Sequence, residues 1–195
     1  MPLMLDLFAG FGGQSEAFLA DGWEVLRIDN NPLLSGVPRM VITDIRHLTP
    51  STSDQARIEY VHASPPCTEF STGYSSPRSV AQREGRDFMP DMTWFIEALR
   101  IIEAVQPRYW SIENVKGSIR YVEPLLGKPS LIVGPYVYWG NFPRFDPSNV
   151  ALTEKRHKDR RWSPLRSNHK AKIDLSVSEA FLKAMKSQKC ITDYL

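Results

Sequence analysis

The chain is poor in cysteine and has no long apolar run. These two features argue against a disulfide-rich secreted protein and against a membrane-spanning one. Its 195 residues include two cysteines, Cys67 and Cys190, too few for a disulfide framework. A reducing, cytoplasmic compartment is therefore expected. No stretch is apolar enough to cross a membrane. The N-terminal Met-Pro-Leu-Met-Leu-Asp lacks the regions of a signal peptide, so we expect the chain to enter structure at once.

Composition is that of an ordinary globular protein. Hydrophobic residues make up 42% of the chain and charged residues 24%. A chain of this length can bury a proper core as one domain. We see no internal repeat and no firm domain boundary, so a single domain over residues 1–195 is expected.

Positive charge is concentrated in one segment. Residues 151–172 carry eight Lys or Arg against two acids, which gives about +6 within a chain of net +2. Such a block is most often a solvated, mobile face, and it is also the pattern expected for contact with a phosphate backbone. Interleaved Trp162, His157 and His169 slightly favour nucleic-acid binding.

Short apolar runs alternate with helical patterns, which favours an α/β fold. We predict a mostly parallel, Rossmann-like sheet with helices on both faces. The predicted strands are 3–8, 23–28, 40–42, 58–62, 109–112 and 131–139. The predicted helices are 15–20, 91–105 and 176–185, and the Gly-, Ser-, Arg- and Pro-rich stretch 71–90 is predicted to be a mobile loop.

Polar residues recur where the predicted strands end. They are Asp6, Asp29, Asp44, Cys67 and Glu113. A single acid there is more often a cap or turn former, but five are hard to explain by packing alone. Open α/β sheets bind ligands outside the carboxyl ends of their strands.

The first of these ends is a glycine-rich turn that runs from Asp6 to Gly13. It is not a P-loop, because no Gly-Lys-Ser/Thr follows. Asp29 stands where an acid typically holds ribose hydroxyls, and Asp44 is placed to accept from an adenine amino group. Expected contacts to a ribose and an adenine, without a phosphate-binding loop, suggest S-adenosylmethionine rather than NAD or ATP. No metal is expected.

Cys67 follows two prolines at the end of a predicted strand. Proline fixes φ and cannot extend a ladder, so the cysteine is expected on a stiff, partly exposed bend. This arrangement presents a thiolate to a substrate, while a lone cysteine is in general more often a small buried hydrophobe. Local sequence leaves both interpretations open.

Taken together and in this order, these motifs resemble the cytosine-C5 DNA methyltransferases. The resemblance covers about residues 3 to 117. It is carried by Asp6-Leu7-Phe8-Ala9-Gly10-Phe11-Gly12-Gly13, Asp29, Asp44-Ile45, Pro65-Pro66-Cys67 with Phe70-Ser71, and Ile112-Glu113-Asn114-Val115. A weaker likeness links Tyr138 to Pro143 with the eukaryotic de novo DNA methyltransferases.

The resemblance implies a covalent mechanism. Cys67 would add to C6 of cytosine, Glu113 would act at N3, and Asn114 would hold the backbone around Glu113. Cofactor contacts are expected from Asp6, Phe8, Ala9, Gly10, Phe11, Gly12, Gly13, Asp29, Asn30, Asp44, Ile45 and Pro66, with Trp94 either on the cofactor or in the core. Substrate contacts are expected from Ser71, Arg78, Arg83, Arg86, Arg160 and Arg161.

The second half departs from the family pattern. The usual Gln-x-Arg-x-Arg strand is replaced by Val133 to Tyr138, which has no arginine. Either Arg156, Arg160 or Arg161 substitutes from the basic segment, or the flipped base is held more weakly. Pro143 and Ile173 lie too close for a target-recognition domain. Asn149-Val150 and Ile173-Asp174-Leu175 are the two candidates for the late Gly-Asn-x-Val motif.

The expected protein is thus a compact enzyme with short or relaxed specificity, as in phages or other compact genomes. It is expected to act in a bacterial or phage-infected cytoplasm as a monomer or homodimer. Residues 1–128 would form the cofactor-binding and catalytic core, 129–172 a reduced substrate-contact region, and 173–195 a returning C-terminal helix. Duplex DNA with a flipped cytosine is the expected substrate. The alternatives are tRNA or a free cytosine nucleotide, or an inactive nucleic-acid-binding homologue.

Overall fold

The computed structural model describes residues 1–153 and 163–188, whose core is one mixed sheet. Within these residues the sheet has seven strands: β1 Leu3–Leu7, β2 Glu24–Asp29, β3 Met40–Ile42, β4 Ile58–Ala63, β5 Tyr109–Val115, β6 Leu131–Val133 and β7 Tyr136–Asn141. Their order is β3-β2-β1-β4-β5-β7-β6. The first five strands are parallel, and β7 runs antiparallel to β5 and β6.

Seven helices in the described ranges connect or cover these strands. They are α1 Glu16–Ala20, α2 Thr52–Arg57, α3 Pro77–Arg83, α4 Thr93–Val105, α5 Ile119–Leu126, α6 Arg166–Ala171 and α7 Leu175–Lys186. Single 3-10 turns lie at Pro32–Leu34, Ile45–His47, Lys116–Ser118 and Pro147–Asn149. No helix in the described part of the chain has the length and apolar character needed to cross a membrane.

Each face of the sheet buries its own apolar cluster, because side chains alternate along a strand. Leu5 packs on one face with Phe95 of α4. Met4 packs on the other with Phe18 of α1 and Phe181 of α7. The predicted fold class, a mostly parallel Rossmann-like sheet with helices on both faces, is confirmed.

Three local predictions were wrong. The stretch 71–90 is not a loop throughout, because α3 begins at Pro77 with Ser76 as its N-cap, accepting a hydrogen bond from Ser79 N. Residues 131–139 are not one strand but part of the β6–β7 hairpin, which turns at Gly134 with a φ of 57°. Glu113 lies inside β5 rather than after it, since pairing with β7 continues to Val115.

The C-terminal helix returns to the first one. Ser178 of α7 accepts a hydrogen bond from Ala17 N at 3.1 Å and donates one to the carbonyl of Gln14 at 2.5 Å. A helix start leaves backbone N–H groups without partners, and a side chain from 161 positions away satisfies one of them here. The turn that precedes α1 is therefore built from both ends of the described chain.

Candidate active site

The glycine-rich turn connects β1 to α1 and lies at the carboxyl end of the sheet. Gly10 and Gly12 have φ values of 53° and 70°, in the left-handed region that glycine adopts without strain. A Cβ at Gly12 would lie 2.2 Å from Nε of Arg27. The turn thus lies directly on an arginine that is only 3% exposed.

Asp6 is buried beneath the glycine turn, where it contacts Ser15. Ser15 donates a 2.5 Å hydrogen bond to the Asp6 carboxylate and accepts one of 2.8 Å from Nε of Arg27. Burial raises the pKa of Asp6 to about 6. Asp6 is buried under the turn, so its expected cofactor contact stays a prediction.

The Asp29 carboxylate, at the end of β2, organises the neighbouring backbone. One oxygen accepts from Gly10 N and the other from Asn31 N, each at 3.0 Å. Asp29 is half-buried and Asn30 is exposed. Each carboxylate oxygen has a further lone pair for a hydroxyl donor, which is the requirement for holding a ribose.

Asp44 stands at the end of β3 and begins the Ile45–His47 turn. It accepts from Arg46 N at 2.9 Å and pairs with the Arg46 guanidinium at 2.6 Å, which lowers the pKa of Asp44 to about 2. Ile45 is buried beneath it. The Arg46 guanidinium also lies 5.1 Å from the ring centre of Trp94.

Two aromatic rings, Phe8 and Trp94, lie between the Arg46 side chain and the end of β1. Phe8 and Trp94 meet edge to face with ring centres 5.8 Å apart, and both are half-buried. Trp94 therefore contacts both the β1 end and the Arg46 side chain. Aromatic faces, the Asp29 carboxylate and glycine-turn amides are groups that suit an adenine and a ribose, so this chain's residues fit S-adenosylmethionine.

The Cys67 bend follows β4 on the adjacent strand end. Its backbone closes into a tight turn in which Phe70 N and Ser71 N both donate to the Cys67 carbonyl at 3.0 Å. Pro66 is exposed and Cys67 is half-buried. Burial raises the pKa of the Cys67 thiol, and the charge of Glu113 raises it further.

The neighbouring strand β5 supplies the other two predicted catalytic residues. Glu113 is 9% exposed and stands opposite Tyr138 of β7. The Asn114 side-chain amide donates to the carbonyl of Pro65 at 2.9 Å, and its oxygen accepts from Val115 N. The structure thus brings Cys67, Glu113 and Asn114 together at one end of the sheet.

Only some of the predicted substrate-contacting residues lie near Cys67 and Glu113. Ser71 accepts from Gly73 N at 3.1 Å, beside the bend. Arg83 donates to the Tyr74 carbonyl at 2.7 Å and lies over its ring, and Arg86 pairs with Glu84. Arg78 reaches towards Gly117, after β5. Arg156, Arg160 and Arg161 fall outside the described residues.

Sequence patterns did not place His169 or Asn168 at the glycine turn. His169 stacks on Phe11 with ring centres 4.3 Å apart, and the Asn168 amide lies next to Gly10. A Cβ at Gly13 would lie 2.4 Å from the Ile173 carbonyl. The Ile173 segment, one of the two candidates for the late motif, therefore lies against the turn. No local signal predicts contacts between residues so far apart in sequence.

Comparison with known families bears on these same residues. The family model for C-5 cytosine-specific DNA methylase matches residues 3–121, more than half of the chain. The matched range contains the glycine turn, Asp29, the Cys67 bend and all of β5.

Two named relatives are similar over part of their length. The type II methyltransferase M.DdeI of Desulfomicrobium norvegicum is 28% identical over 151 residues, which are 67% of this chain and 34% of the relative. The type II methyltransferase M.HgiGI of Herpetosiphon aurantiacus is 29% identical over 121 residues, 57% of this chain and 89% of the relative. The chain thus spans about a third of the first relative and most of the second.

Two solved structures are also similar. S. pombe Dnmt2 methyltransferase shares 22% identity with a TM-score of 0.42, over 72% of this chain and 48% of that one. A mutant of Spodoptera frugiperda DNMT2 shares 19% identity with a TM-score of 0.44, over 72% and 49%. In both cases the match spans about half of the solved chain.

Proposed function

This chain belongs to the family of C-5 cytosine-specific DNA methylases, and from that premise we propose that it methylates C5 of cytosine in DNA. The methyl donor would be S-adenosylmethionine, held by the residues around Asp29, Phe8 and Trp94. Cys67 would be the nucleophile and Glu113 the group that acts at N3 of the base.

One observation carries the proposal. Cys67 follows β4 and Glu113 lies in the adjacent strand β5, and the charge of Glu113 raises the pKa of the Cys67 thiol. A binding module needs neither a thiol nor a carboxyl at such a position. The pair therefore favours the catalytic interpretation over an inactive homologue.

The chemistry explains why these residue types are needed. C5 of cytosine is a weak nucleophile, but a bond from the Cys67 sulfur to C6 moves the ring electrons towards C5 and N3. Glu113 would meet the charge that develops at N3. After methylation, loss of the C5 proton to a base breaks the S–C6 bond and restores the thiolate. S-adenosylmethionine, when bound, supplies the electrophilic methyl group.

Proton placement also agrees with these roles. A charged Glu113 opposes ionisation of Cys67, and burial opposes it further. A neutral Glu113, the form that donates to N3, removes the first of these effects. The protonated acid and the thiolate therefore favour each other.

Duplex DNA is the proposed substrate, with the target base flipped out of the stack. Arg78, Arg83 and Arg86, which flank or belong to α3, are proposed to contact its phosphates. The same chemistry on tRNA or a free nucleotide is the second candidate, because the segment between β7 and α6 is too short for a separate recognition domain.

A trapping experiment tests the proposal. Wild-type protein with S-adenosylmethionine and duplex DNA containing 5-fluorocytosine should form a covalent complex, because fluorine cannot leave as the C5 proton does. Cys67→Ser should form none and still bind the cofactor. Labelled methyl transfer to duplex DNA, tRNA and dCMP in parallel identifies the substrate. No transfer to any of them, with no adduct, would refute the proposal.

A further inference from the structure

Arg27 is a buried arginine within β2, and every nitrogen of its guanidinium donates a hydrogen bond. Nε donates to the Ser15 hydroxyl at 2.8 Å. Nη1 donates to the Pro38 carbonyl at 3.0 Å, and Nη2 donates to the Gly12 carbonyl at 3.3 Å. A guanidinium has no acceptor atom and does not lose its proton, so the direction of all three bonds is fixed.

The bond to Gly12 is one of three that β2 makes with the glycine turn. Ile28 O accepts from Ala9 N, and the Asp29 carboxylate accepts from Gly10 N, each at 3.0 Å. Consecutive residues of one strand thus hold the turn. The guanidinium bond is the one that lies furthest along it.

Gly12 also packs directly on the guanidinium. A Cβ at Gly12 would lie 2.2 Å from Nε, 2.3 Å from Cζ and 2.7 Å from Nη2 of Arg27. Removing the guanidinium would therefore deprive the turn of a hydrogen bond and of the surface beneath it.

Arg27 holds the connection between β2 and β3 as well. Besides the bond from Nη1 to Pro38 O, its backbone N donates to Arg39 O at 2.9 Å. Arg39 has a φ of 62°, which is uncommon for a residue other than glycine and persists where the surroundings impose it. Arg27 thus joins the glycine turn to the connection that leads into β3, whose end carries Asp44.

Stability alone does not account for a guanidinium in this place. Arg27 is 3% exposed, and burial lowers its pKa, while the charges of Asp6 and Glu16 raise it. A buried ion pair contributes little net stability, because the cost of desolvation offsets the attraction. The geometry of the bonds it makes is therefore the more informative feature.

We infer that Arg27 is a positioning residue for the cofactor: its guanidinium holds the glycine turn in its binding shape and fixes the turn relative to the connection that leads to Asp44. The inference rests on the proposed function, which places S-adenosylmethionine against this turn. Arg27 acts through the carbonyls of Gly12 and Pro38 and not by touching the cofactor.

A first test needs neither cofactor nor DNA. Full-length protein with nitrogen-15-labelled glycine contains 11 labelled residues. In Arg27→Met, the amide protons of Gly10 and Gly12 should exchange with solvent about tenfold faster or more, because the turn opens locally. Gly140 in β7 is the internal reference and should keep its wild-type rate. Unchanged rates at the turn, or an equal rise at Gly140, would refute the local role.

A second test measures the Kd for S-adenosylmethionine by calorimetry, at a temperature where each protein is folded. Arg27→Met should raise the Kd about tenfold or more. Arg27→Lys should recover only part of this loss, because one ammonium cannot reach three separate acceptors. The matched control is Arg108→Met, which removes a guanidinium that pairs with Glu59 just before β5, at the other end of the sheet, and should keep the wild-type Kd.

The possible failures are distinguishable. If wild-type protein does not bind S-adenosylmethionine, the proposed function fails, and the exchange rates still decide whether Arg27 holds the turn. If wild-type protein binds it and Arg27→Met binds it equally well, the positioning role is refuted alone. If Arg27→Met does not fold, Arg27→Lys decides, since wild-type exchange and Kd in that variant would refute the inference.

Discussion

Asn114 donates a 2.9 Å hydrogen bond from its side-chain amide to the carbonyl oxygen of Pro65, two residues before Cys67. This bond links the strand that carries the acid to the bend that carries the thiol. Asn114 is 1% exposed, so water cannot replace the donor if the side chain is shortened. Together with the pairing of β4 and β5, this amide sets the relative placement of Cys67 and Glu113.

The first prediction concerns that amide. Asn114→Ala should leave the Pro65 carbonyl without its donor, cost about 1–3 kcal/mol of unfolding free energy, and slow adduct formation more than it weakens cofactor binding. Denaturant unfolding and single-turnover trapping measure the two effects. Asn141→Ala is the control, because its amide donates to Arg108 O at 3.1 Å in an exposed position. Equal losses in both variants would contradict the role.

The second prediction concerns the ionisation of Cys67. Glu113→Gln removes a charge that raises the thiol pKa, so the pH midpoint for alkylation of Cys67 by iodoacetamide should move down. The measurement is made in a Cys190→Ser background, so that one thiol remains. An unchanged midpoint would show that the two groups do not interact. Desolvation, the larger cause, keeps the midpoint above that of a free thiol in both proteins.

The third prediction concerns Gly117, which follows β5. A Cβ there would lie 2.1 Å from the carbonyl oxygen of Phe70, in the turn that holds Cys67. Gly117→Ala should therefore displace the bend, cost about 1–3 kcal/mol and slow trapping. Gly36→Ala is the matched control, since a Cβ there has open space around it. A Gly117 variant as stable and as fast as the Gly36 variant would overturn this account.

The fourth prediction concerns pH and Asp6. The folded pKa of about 6 lies above the ordinary value of 3.8, so folding favours the protonated acid. Its contribution is complete below about pH 4 and is lost as pH rises through 6, a change of about 3 kcal/mol. Asp6→Asn should remove this component from the unfolding free energy measured between pH 4 and pH 7. Parallel pH profiles for the two proteins would contradict it.

The fifth prediction separates the arginines around α3. If Arg78 contacts a DNA phosphate, Arg78→Ala should reduce the slope of log K against log salt by about 1. Arg86 already pairs with Glu84, so Arg86→Ala should change the slope less. Fluorescence titration of duplex DNA at several salt concentrations provides the comparison. A larger change for Arg86 than for Arg78 would reverse the assignment.

Sequence alone predicted the sheet well because its strands are short apolar runs bounded by turn residues. The strand 40–42 was predicted with its observed limits, and the other four parallel strands within a few residues. The strand-end positions of Asp29 and Asp44 followed from the same pattern. Asp29 and Asp44 therefore lie at strand ends, as their positions after short apolar runs predict.

Local sequence patterns did not predict the contacts between segments that are distant along the chain. Nothing near His62 indicates that its ring lies between Ser111 and Ser64, because that arrangement depends on the register of β4 with β5. The packing of His169 on Phe11 likewise depends on how α6 and α7 return. The β6–β7 hairpin differs from these cases, because its two-residue turn at Gly134-Pro135 is a local signal in the sequence.

The bond between Ser178 and the Gln14–Ala17 backbone has a consequence for synthesis on the ribosome. The glycine turn is translated about 160 residues before Ser178, which is one of its hydrogen-bonding partners. A nascent chain that has released β1 to β5 holds the thiol and the acid but not the completed turn. Cofactor affinity should then arise late in translation, which ties the proposed methyl transfer to release of the α7 segment.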